Sequence, residues 1–354
     1  MFVKTFRQIN RHSVKEAGGK GASLGEMTKA GIPVPPGFVV LSQAFDRFLS
    51  ETELDADIEA ILKKVNHQDI NSVDRASNEI RALILEESMP RDLQEEILQA
   101  YYGLFSKAHG STSPGLRPPS PGLGRGWGRG RKSVGLVAVR SSATAEDSKV
   151  ASWAGELETY LNVTQKNLIH YVMKCWSSLF TPRAIFYAFE KKFYSPTSPS
   201  PSSGRRGGRG LPISVAVVVQ EMIQAEVSGI CFTVHPVTKD RNQMVIEAGF
   251  GLGESIVGGL ITPDTYVVHK NNFSILDINI SEQKFKIIRS HRGTVNKKLS
   301  KREGSKQKLT GKQIIELAKL CKKIEQHYRH PQDIEWALAR GKFHILQSRP
   351  ITTL

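Results

Sequence analysis

The chain has 354 residues, of which 39% are hydrophobic, and 49 Lys and Arg against 34 Asp and Glu give it a net charge of +15. This composition is typical of a globular protein with room for two subdomains, and no apolar run is long enough to span a membrane. The first residues lack the apolar stretch of a signal peptide, and the three cysteines have no metal-ligand spacing. We therefore expect a cytoplasmic protein with reduced cysteines.

Much of the excess positive charge lies in low-complexity sequence. The segments 110–132 and 195–210 together contain eight basic residues and no acidic one, and each is a Ser/Pro run followed by a Gly/Arg run. Such a composition cannot bury enough apolar surface to offset the entropy of ordering, so we predict that both segments are disordered surface inserts. An arginine-glycine tract that binds RNA is the alternative. For the whole chain we expect no specific nucleic-acid partner, only weak adhesion to polyanions.

Outside the inserts, the hydrophobic pattern changes repeatedly between helical and strand periodicity. Helices are predicted over 19–30, 43–50 with Ser42 as cap, much of 54–105, 166–189 with a break at Pro182, and 310–327. Strands are predicted over 38–41, 136–139, 213–220, 230–233, 244–247 and 266–269. Because no regular βαβ repeat is present, the pattern indicates an α+β fold rather than a doubly wound sheet.

The first candidate site is the glycine-rich run Gly18-Gly19-Lys20-Gly21, which opens the first predicted helix. It is not a P-loop, because the Gly-x4-Gly-Lys-Ser/Thr spacing is absent. Glycines nevertheless allow backbone N–H groups to approach a phosphate, the helix N-terminus attracts anions, and Lys20 supplies a positive charge. A flexible turn would explain the glycines but not the lysine among them.

Further candidates lie in the middle of the chain, mostly at strand ends. Arg140 follows an apolar strand, where a charge is either a site residue or part of a structural salt bridge. Glu247 and Glu254 flank a glycine-rich run, which is a weak signal because no Rossmann unit surrounds it. His235 precedes a proline, and we interpret it as structural.

The last candidate site is a predicted hairpin near the end of the chain. Asp333 and Glu335 lie two residues apart on an alternating stretch, and Gln347 and Arg349 repeat that spacing after a turn at Gly341-Lys342. Side chains two apart share one face of a strand, so the hairpin sets two acids beside an amide and a guanidinium. This combination suits a Mg-bound polyphosphate. A surface hairpin with a cross-strand salt bridge is the alternative.

Four sequence blocks resemble, in order, the ATP-binding domain of the family that contains phosphoenolpyruvate synthase (pyruvate, water dikinase), pyruvate phosphate dikinase and rifampicin phosphotransferase. The blocks are G-G-K-G-A-S-L-G-E-M with G-I-P-V-P-P-G-F, V-R-S-S-A-T-A-E-D with W-A-G-E, Q-E-M with F-T-V-H-P, G-L-G-E and T-P-D, and D-I-E-W-A with I-L-Q-S-R-P-I. They cover nearly the whole chain except the inserts. The resemblance implies an ATP-grasp fold, in which two α+β subdomains, here 1–194 and 211–354, close over ATP.

The resemblance also implies which residues bind ATP and Mg²⁺. The implied nucleotide-binding residues are Lys20, Arg140, Gly155, Thr159, Tyr160, Gln220, Glu221, Met222, Glu335, Gln347 and Arg349. The implied catalytic residues are Lys20, Arg140, Glu335 and Arg349, and the implied magnesium ligands are Asp333, Glu335 and Gln347. Without the resemblance, the spacing of Gly155, Thr159 and Tyr160 would indicate only ordinary strand residues. The run Gln220, Glu221 and Met222 would indicate only the end of a strand.

The implied reaction passes a phosphoryl group from ATP to a histidine, and in the whole system converts pyruvate, ATP and water to phosphoenolpyruvate, AMP and phosphate. None of the ten histidines lies in the Thr-Ser-His-Ala-type context of the family's phosphohistidine domain, and the substrate barrel is also absent. We therefore expect a separate polypeptide or domain to carry the acceptor and to bind pyruvate. The alternatives are an antibiotic kinase domain of the rifampicin phosphotransferase type and a non-catalytic nucleotide-binding remnant.

Overall fold

The structure is a computed structural model that describes residues 1–106, 135–144, 147–148, 151–152, 158–191, 214–290 and 293–352. Both predicted inserts, 110–132 and 195–210, lie outside these residues. The chain forms two compact units: the first is Met1–Thr5, Val14–Gly19 and Pro36–Glu221, and the second is Phe6–Ser13, Lys20–Pro35 and Met222–Leu354. The sequence prediction put the division at the second insert, whereas the compact units divide after Glu221 and the second unit also takes two N-terminal segments.

Helices and antiparallel strands alternate along the described chain, which confirms the α+β prediction. The helices are α1 Val14–Lys29, α2 Ser42–Glu51, α3 Leu54–Lys63, α4 Ile70–Glu86, α5 Arg91–Ser106, α6 Leu168–Ser177, α7 Pro182–Glu190, α8 Glu254–Val257, α9 Lys301–Gly304 and α10 Gly311–Tyr328. The strands are β1 Val3–Thr5, β2 Gly37–Val40, β3 Val137–Ala143, β4 Asp147–Ser148, β5 Ala151–Ser152, β6 Thr159–Val163, β7 Val215–Glu221, β8 Val227–Phe232, β9 Gln243–Phe250, β10 Asp264–His269, β11 Ile275–Asn279, β12 Phe285–Ser290, β13 Gly293–Lys298, β14 Gln332–Ala339 and β15 Lys342–Pro350. Within the described ranges, no helix is both long and apolar enough to cross a membrane.

The first unit is built on a five-stranded antiparallel sheet of order β1-β2-β7-β3-β6. β3 and β7 are buried because their valines pack against helices on one face of the sheet. Trp176 of α6 lies in this core against Phe45 and Phe48 of α2, with ring centroids 5.4 and 5.2 Å apart. Large aromatic side chains contribute much of the apolar burial of a core of this kind.

Two local predictions in the first unit had different outcomes. The predicted break at Pro182 is confirmed: α7 begins at Pro182, and the Thr181 side chain accepts a hydrogen bond from the Ala184 N–H, as expected for proline in a first helical turn. The predicted cap at Ser42 is wrong. Ser42 lies inside α2, and its hydroxyl donates to the Lys15 carbonyl oxygen at 3.1 Å; a partner distant in sequence therefore displaced the local capping bond.

The second unit is built on a six-stranded antiparallel sheet of order β11-β10-β9-β8-β14-β15. The predicted hairpin is confirmed as β14 and β15, but its turn lies at Arg340 and Gly341, with φ of 51° and 71°, one residue before the predicted Gly341-Lys342. Positive φ at both turn residues gives the twist that two-residue hairpins favour. On one face, α10 contacts β9, β10 and β14, and its Cys321 lies against Cys231 of β8.

A buried ion pair holds the segment before α10 against β10. The Lys308 ammonium lies 2.8 Å from the Asp264 carboxylate, and both side chains are fully buried. Lys308 also donates to the carbonyl oxygens of Ser281 and Gly304, while Asp264 accepts from the Tyr266 hydroxyl at 2.8 Å. The two charges are therefore stable only as a hydrogen-bonded pair, because either one alone would be desolvated without compensation.

We predict that Asp264→Ala lowers the free energy of unfolding by about 3–5 kcal/mol, because it leaves the Lys308 ammonium buried without the carboxylate that balances its charge. Urea unfolding of the variant measures this loss. Asp277→Ala is the control: this exposed residue of neighbouring β11 should change the free energy of unfolding by less than about 0.5 kcal/mol. Equal losses in the two variants would show that the ion pair contributes nothing specific.

Candidate functional site

Strand register in the second unit brings the predicted hairpin residues into two rows on one face of the sheet. Asp333 lies opposite Arg349, and Glu335 lies opposite Gln347. Directly opposed and alternate residues share a face of a sheet, so all four side chains belong to the same surface. Cys231 and Ile334 alternate with these positions and belong to the other face, which α10 covers. The predicted grouping is therefore confirmed within this unit.

The Asp333 carboxylate is the most buried acid of this surface. It is 9% exposed, and its Oδ2 accepts from Arg349 Nε at 2.8 Å and lies 2.7 Å from an Arg349 terminal nitrogen. Its Oδ1 is buried and has no hydrogen-bond partner in the described part of the chain. Burial raises the pKa of Asp333 above its usual value, and Glu335 raises it further, although Arg349 acts in the opposite direction. Asp333 therefore retains one oxygen that a cationic ligand could use.

Glu247, which the sequence offered only as a weak candidate and not among the implied ATP or magnesium ligands, joins this surface from β9. It lies opposite Ile230 of β8, which lies opposite Glu335 of β14, so Glu247, Glu335 and Gln347 form one continuous row. Burial raises the pKa of Glu247, and the nearby Asp333 charge raises it further. The available sequence signals were its place beside a glycine-rich run and at the end of an apolar run, Met244 to Ile246, and neither reveals its strand neighbours.

Lys20 is carried by a helix segment that is fastened to β15. Within α1, Gly18 has non-helical angles (φ 66°, ψ 173°), so the part that carries Lys20 is a separate segment. The Ser23 hydroxyl donates to the Ser348 carbonyl oxygen at 2.8 Å, and the Tyr328 hydroxyl donates to the Ser23 carbonyl oxygen at 3.2 Å. The first bond ties the Lys20 segment to the residue that precedes Arg349, and the second ties it to α10.

In the first unit, the sheet places Arg140, Thr159 and Gln220 on one face. Arg140 of β3 lies opposite Thr159 on one side and Val218 on the other, and Gln220 is two residues beyond Val218. Arg140 and Gln220 are buried and Thr159 is exposed. The face opposite to theirs carries the valines of the hydrophobic core, including Val139. These three predicted residues are therefore brought onto one polar surface of the unit.

The structure does not bring every predicted residue of this group onto that surface. Tyr160 lies opposite Val139 and packs against the core and Tyr171, with ring centroids 4.8 Å apart. Glu221 lies opposite Val137 on the core face, and burial raises its pKa. Met222 is half-buried and begins a segment of the second unit.

Two other predictions concern Gly155 and His235. Gly155 lies outside the described residues. His235 accepts hydrogen bonds from the Val237 and Thr238 N–H groups through Nδ1 at 3.3 and 3.2 Å. It therefore caps a turn, in keeping with the structural role predicted for it.

The oxygen-rich surface of the second unit fits a magnesium ion. Carboxylate and amide oxygens are the ligands that Mg²⁺ prefers, and Mg²⁺ is commonly held by one or two carboxylates with water and phosphate oxygens completing its shell. Asp333 Oδ1, buried without a partner, is the specific observation that favours a cation here. No group of three or more His, Cys, Asp or Glu side chains is close enough to enclose a metal ion in the described residues, so the protein alone does not form a complete metal cage there.

Comparison with known proteins adds an independent observation. Residues 14–354 match the family described as "Pyruvate phosphate dikinase, AMP/ATP-binding domain". The chain is 41% identical over its full length to "Probable phosphoenolpyruvate synthase" of Methanocaldococcus jannaschii, covering 27% of that protein, and 38% identical to "Phosphoenolpyruvate synthase" of Pyrococcus furiosus, covering 44%. Over 99% of its length it is 35% identical to "Rifampicin phosphotransferase" of Bacillus subtilis, covering 36% of that protein. The chain thus spans less than half the length of these relatives.

We predict that Gly18→Ala destabilises the chain much more than Gly31→Ala. Both glycines have positive φ, 66° and 69°, but a Cβ at Gly18 would lie 2.2 Å from the Ser142 hydroxyl oxygen, whereas a Cβ at Gly31 has no neighbour within 4 Å. Gly31→Ala should therefore cost only the backbone strain of about 1–2 kcal/mol, and Gly18→Ala distinctly more. Thermal unfolding of the two variants measures the difference, and equal melting temperatures would contradict the close packing at Gly18.

Proposed function

The chain belongs to the family of pyruvate phosphate dikinase AMP/ATP-binding domains, which are of the ATP-grasp type, and from this premise we propose that it binds Mg-ATP and passes a phosphoryl group to a histidine on a partner domain or chain. The observation that carries the proposal is the pair of rows on the second unit's sheet, Asp333 with Arg349 and Glu335 with Gln347. They place on one surface a guanidinium that can bind phosphate and oxygen atoms that can bind a divalent cation.

The proposed role of each charged residue follows from its chemistry. Arg349 is about half exposed, and its contact with Asp333 orients the guanidinium, so it can bind a phosphate in two-point geometry. Lys20 supplies a second cation at a helix N-terminus. Glu335 and Gln347 would hold the metal, with Asp333 beside them. When bound, Mg²⁺ neutralises phosphate charge and orients the transferred group.

The first unit contributes candidate nucleotide contacts to the proposal. Arg140 and Gln220 are buried polar residues on one sheet face, with Thr159 beside them. A buried guanidinium clamps phosphate well because it is always charged and presents several donors in fixed geometry. We extend the proposal to Gly155, Tyr160, Glu221 and Met222 on the family resemblance only.

We propose that the final acceptor is pyruvate, with water as the second acceptor, as in pyruvate, water dikinase. Two of the relatives named above are called phosphoenolpyruvate synthases, at 41% and 38% identity, against 35% for the rifampicin phosphotransferase. The remaining length of those relatives is available for a phosphohistidine domain and a pyruvate site, and we propose that a partner supplies both. The buried, unbridged cysteines support a cytoplasmic setting.

Antibiotic phosphorylation is the second candidate, and a direct assay separates it from the first. With the partner polypeptide added, we expect pyruvate-dependent release of AMP from ATP and none that depends on rifampicin. The chain without a partner should release no AMP in response to pyruvate, because none of its histidines has the acceptor context. Rifampicin-dependent AMP release in the reconstituted system would replace the first candidate with the second.

We predict that Mg-ATP raises the melting temperature of the chain, because a ligand that binds only the folded state stabilises it. Arg349→Ala and Glu335→Gln should each weaken binding by about tenfold or more, since a hydrogen bond to a charged group contributes about 1.5–3 kcal/mol. Calorimetry with a non-hydrolysable ATP analogue and Mg²⁺ measures both effects.

Arg289→Gln is the control for this binding experiment. Arg289 is an exposed cation of the β12–β13 hairpin, outside both rows, and its loss should leave the affinity nearly unchanged. Absence of binding by the unaltered chain at millimolar Mg-ATP would overturn the proposed function. Equal affinities for all three variants would overturn the assignment of the site.

A further inference from the structure

The Glu247 carboxylate is a charged group that the second unit's packing does not explain. It is half-buried, and it makes no hydrogen bond or ion pair with any residue that the structure describes. Removing an ionised carboxylate from water without a partner is unfavourable. Such a group is tolerated where it has a ligand to bind, and acids held in this way are concentrated at functional sites.

The position of Glu247 connects it to the two rows rather than to the core. Glu247 and Glu335 lie in the same row with Ile230 between them, and two strand spacings of about 4.8 Å place their Cα atoms about 10 Å apart. Asp333 is close enough that its charge raises the pKa of Glu247. All three acids therefore face one volume above the sheet, on the side opposite α10.

Direct coordination of one ion by all three acids does not fit the structure. The described side chains include no set of three acids, histidines or cysteines close enough to enclose a metal. Mg²⁺, however, loses its water molecules reluctantly and usually keeps several of them in a protein site. A carboxylate one water layer from the ion can accept hydrogen bonds from that water, and carboxylates in this outer position orient the inner ligands.

We propose that Glu247 is a positioning residue that accepts hydrogen bonds from the water molecules of a divalent cation held by Glu335 and Gln347. Its negative charge attracts the hydrated ion, and its fixed strand position selects one orientation of the hydration shell. This inference rests on the proposed Mg-ATP function. It assigns a role to a residue that the sequence offered only as a weak candidate, and it accounts for a carboxylate that has no partner among the described residues and lies between apolar strand neighbours.

The test measures metal affinity directly, independently of catalysis. Mn²⁺, which prefers the same oxygen ligands, is titrated into the whole 354-residue chain with a non-hydrolysable ATP analogue, and free Mn²⁺ is followed by electron paramagnetic resonance. We expect Glu247→Gln to raise the dissociation constant of Mn²⁺ by about 10–100-fold, the usual effect of losing an outer-sphere partner. Glu247→Asp should recover part of this loss, because it restores the charge.

The matched control is Asp277→Asn. Asp277 lies in the row of Asp333 on the same face of the sheet, but on the edge strand β11, four strand spacings or about 19 Å from Asp333. Its variant removes one negative charge from the same surface without touching the metal. A change of less than about twofold is expected, because charges farther apart than about 10 Å are largely screened at 0.1 M salt.

The thermal stability of the metal-free variants separates a positioning role from a structural one. Glu247→Gln removes like-charge repulsion from Asp333, so its melting temperature without metal should equal or exceed that of the unaltered chain. The increase in melting temperature on adding Mn²⁺ and nucleotide should be smaller. A metal-free variant that melts well below the unaltered chain would make Glu247 a structural residue and overturn the inference.

The remaining outcomes distinguish the inference from the function on which it rests. If Glu335→Gln weakens Mn²⁺ binding and Glu247→Gln does not, the inference fails and the proposed function stands. If Glu247→Gln and Asp277→Asn weaken binding equally, the effect is nonspecific charge loss and the inference also fails. If the unaltered chain binds no Mn²⁺ in the presence of the nucleotide analogue, the metal part of the proposed function fails together with the inference.

Discussion

The register of β14 is the constraint on which the second unit's site depends. β14 pairs with β15 on one side and with β8 on the other, so each of its residues has two fixed neighbours. A shift of one residue would turn Asp333 and Glu335 toward α10 and bring Ile334 to the polar surface. The buried Trp336 and Ile334 resist such a shift, because it would expose them. The hydrophobic face of the strand therefore holds the charged face in position.

The charged face is itself unfavourable for stability. Asp333, Glu335 and Glu247 are three acids near one another, and burial raises the pKa of Asp333 and Glu247. Arg349 offsets part of this cost through its contact with Asp333. A comparable burial of charge elsewhere in the unit is fully compensated, since Lys308 and Asp264 each bond several groups. Asp264 is fully hydrogen-bonded, whereas one oxygen of Asp333 has no partner among the described residues, and this contrast distinguishes the structural pair from the proposed binding surface.

Most of the hairpin could be predicted from the sequence, whereas relations between distant segments could not. The alternation of Asp333, Glu335, Gln347 and Arg349 correctly placed all four on one face. The two-residue turn alone would set Glu335 opposite Leu346, and the register shift between Glu335 and Trp336 that brings it opposite Gln347 has no signal in the sequence. The role proposed for Glu247 could not be predicted, because its neighbours in the row come from β8 and β14, and a single sequence carries no signal for that pairing.

Other predictions from the sequence divide in the same way. The T-P-D motif ends in Asp264, which forms a buried ion pair with Lys308. A match to the motif therefore does not tell whether a residue binds a ligand or stabilises the fold. The Ser42 cap failed because the Lys15 carbonyl, outside the helix, took its hydroxyl. The side of the sheet occupied by Tyr160 depends on a bulge in the β3–β6 pairing, which strand periodicity alone does not reveal.

Gln347 shows how charge is limited at the proposed metal site. The amide lies on the edge strand β15, directly opposite Glu335 of β14, where a glutamate would add a fourth carboxylate to the three already present. Those three acids and Arg349 sum to two negative charges, which a single divalent cation balances. An amide oxygen can still coordinate Mg²⁺ without increasing the repulsion that raises the pKa of Asp333. The choice of an amide at this position thus allows the surface to be near neutrality when the metal is bound, and adds no further negative charge to oppose the phosphates.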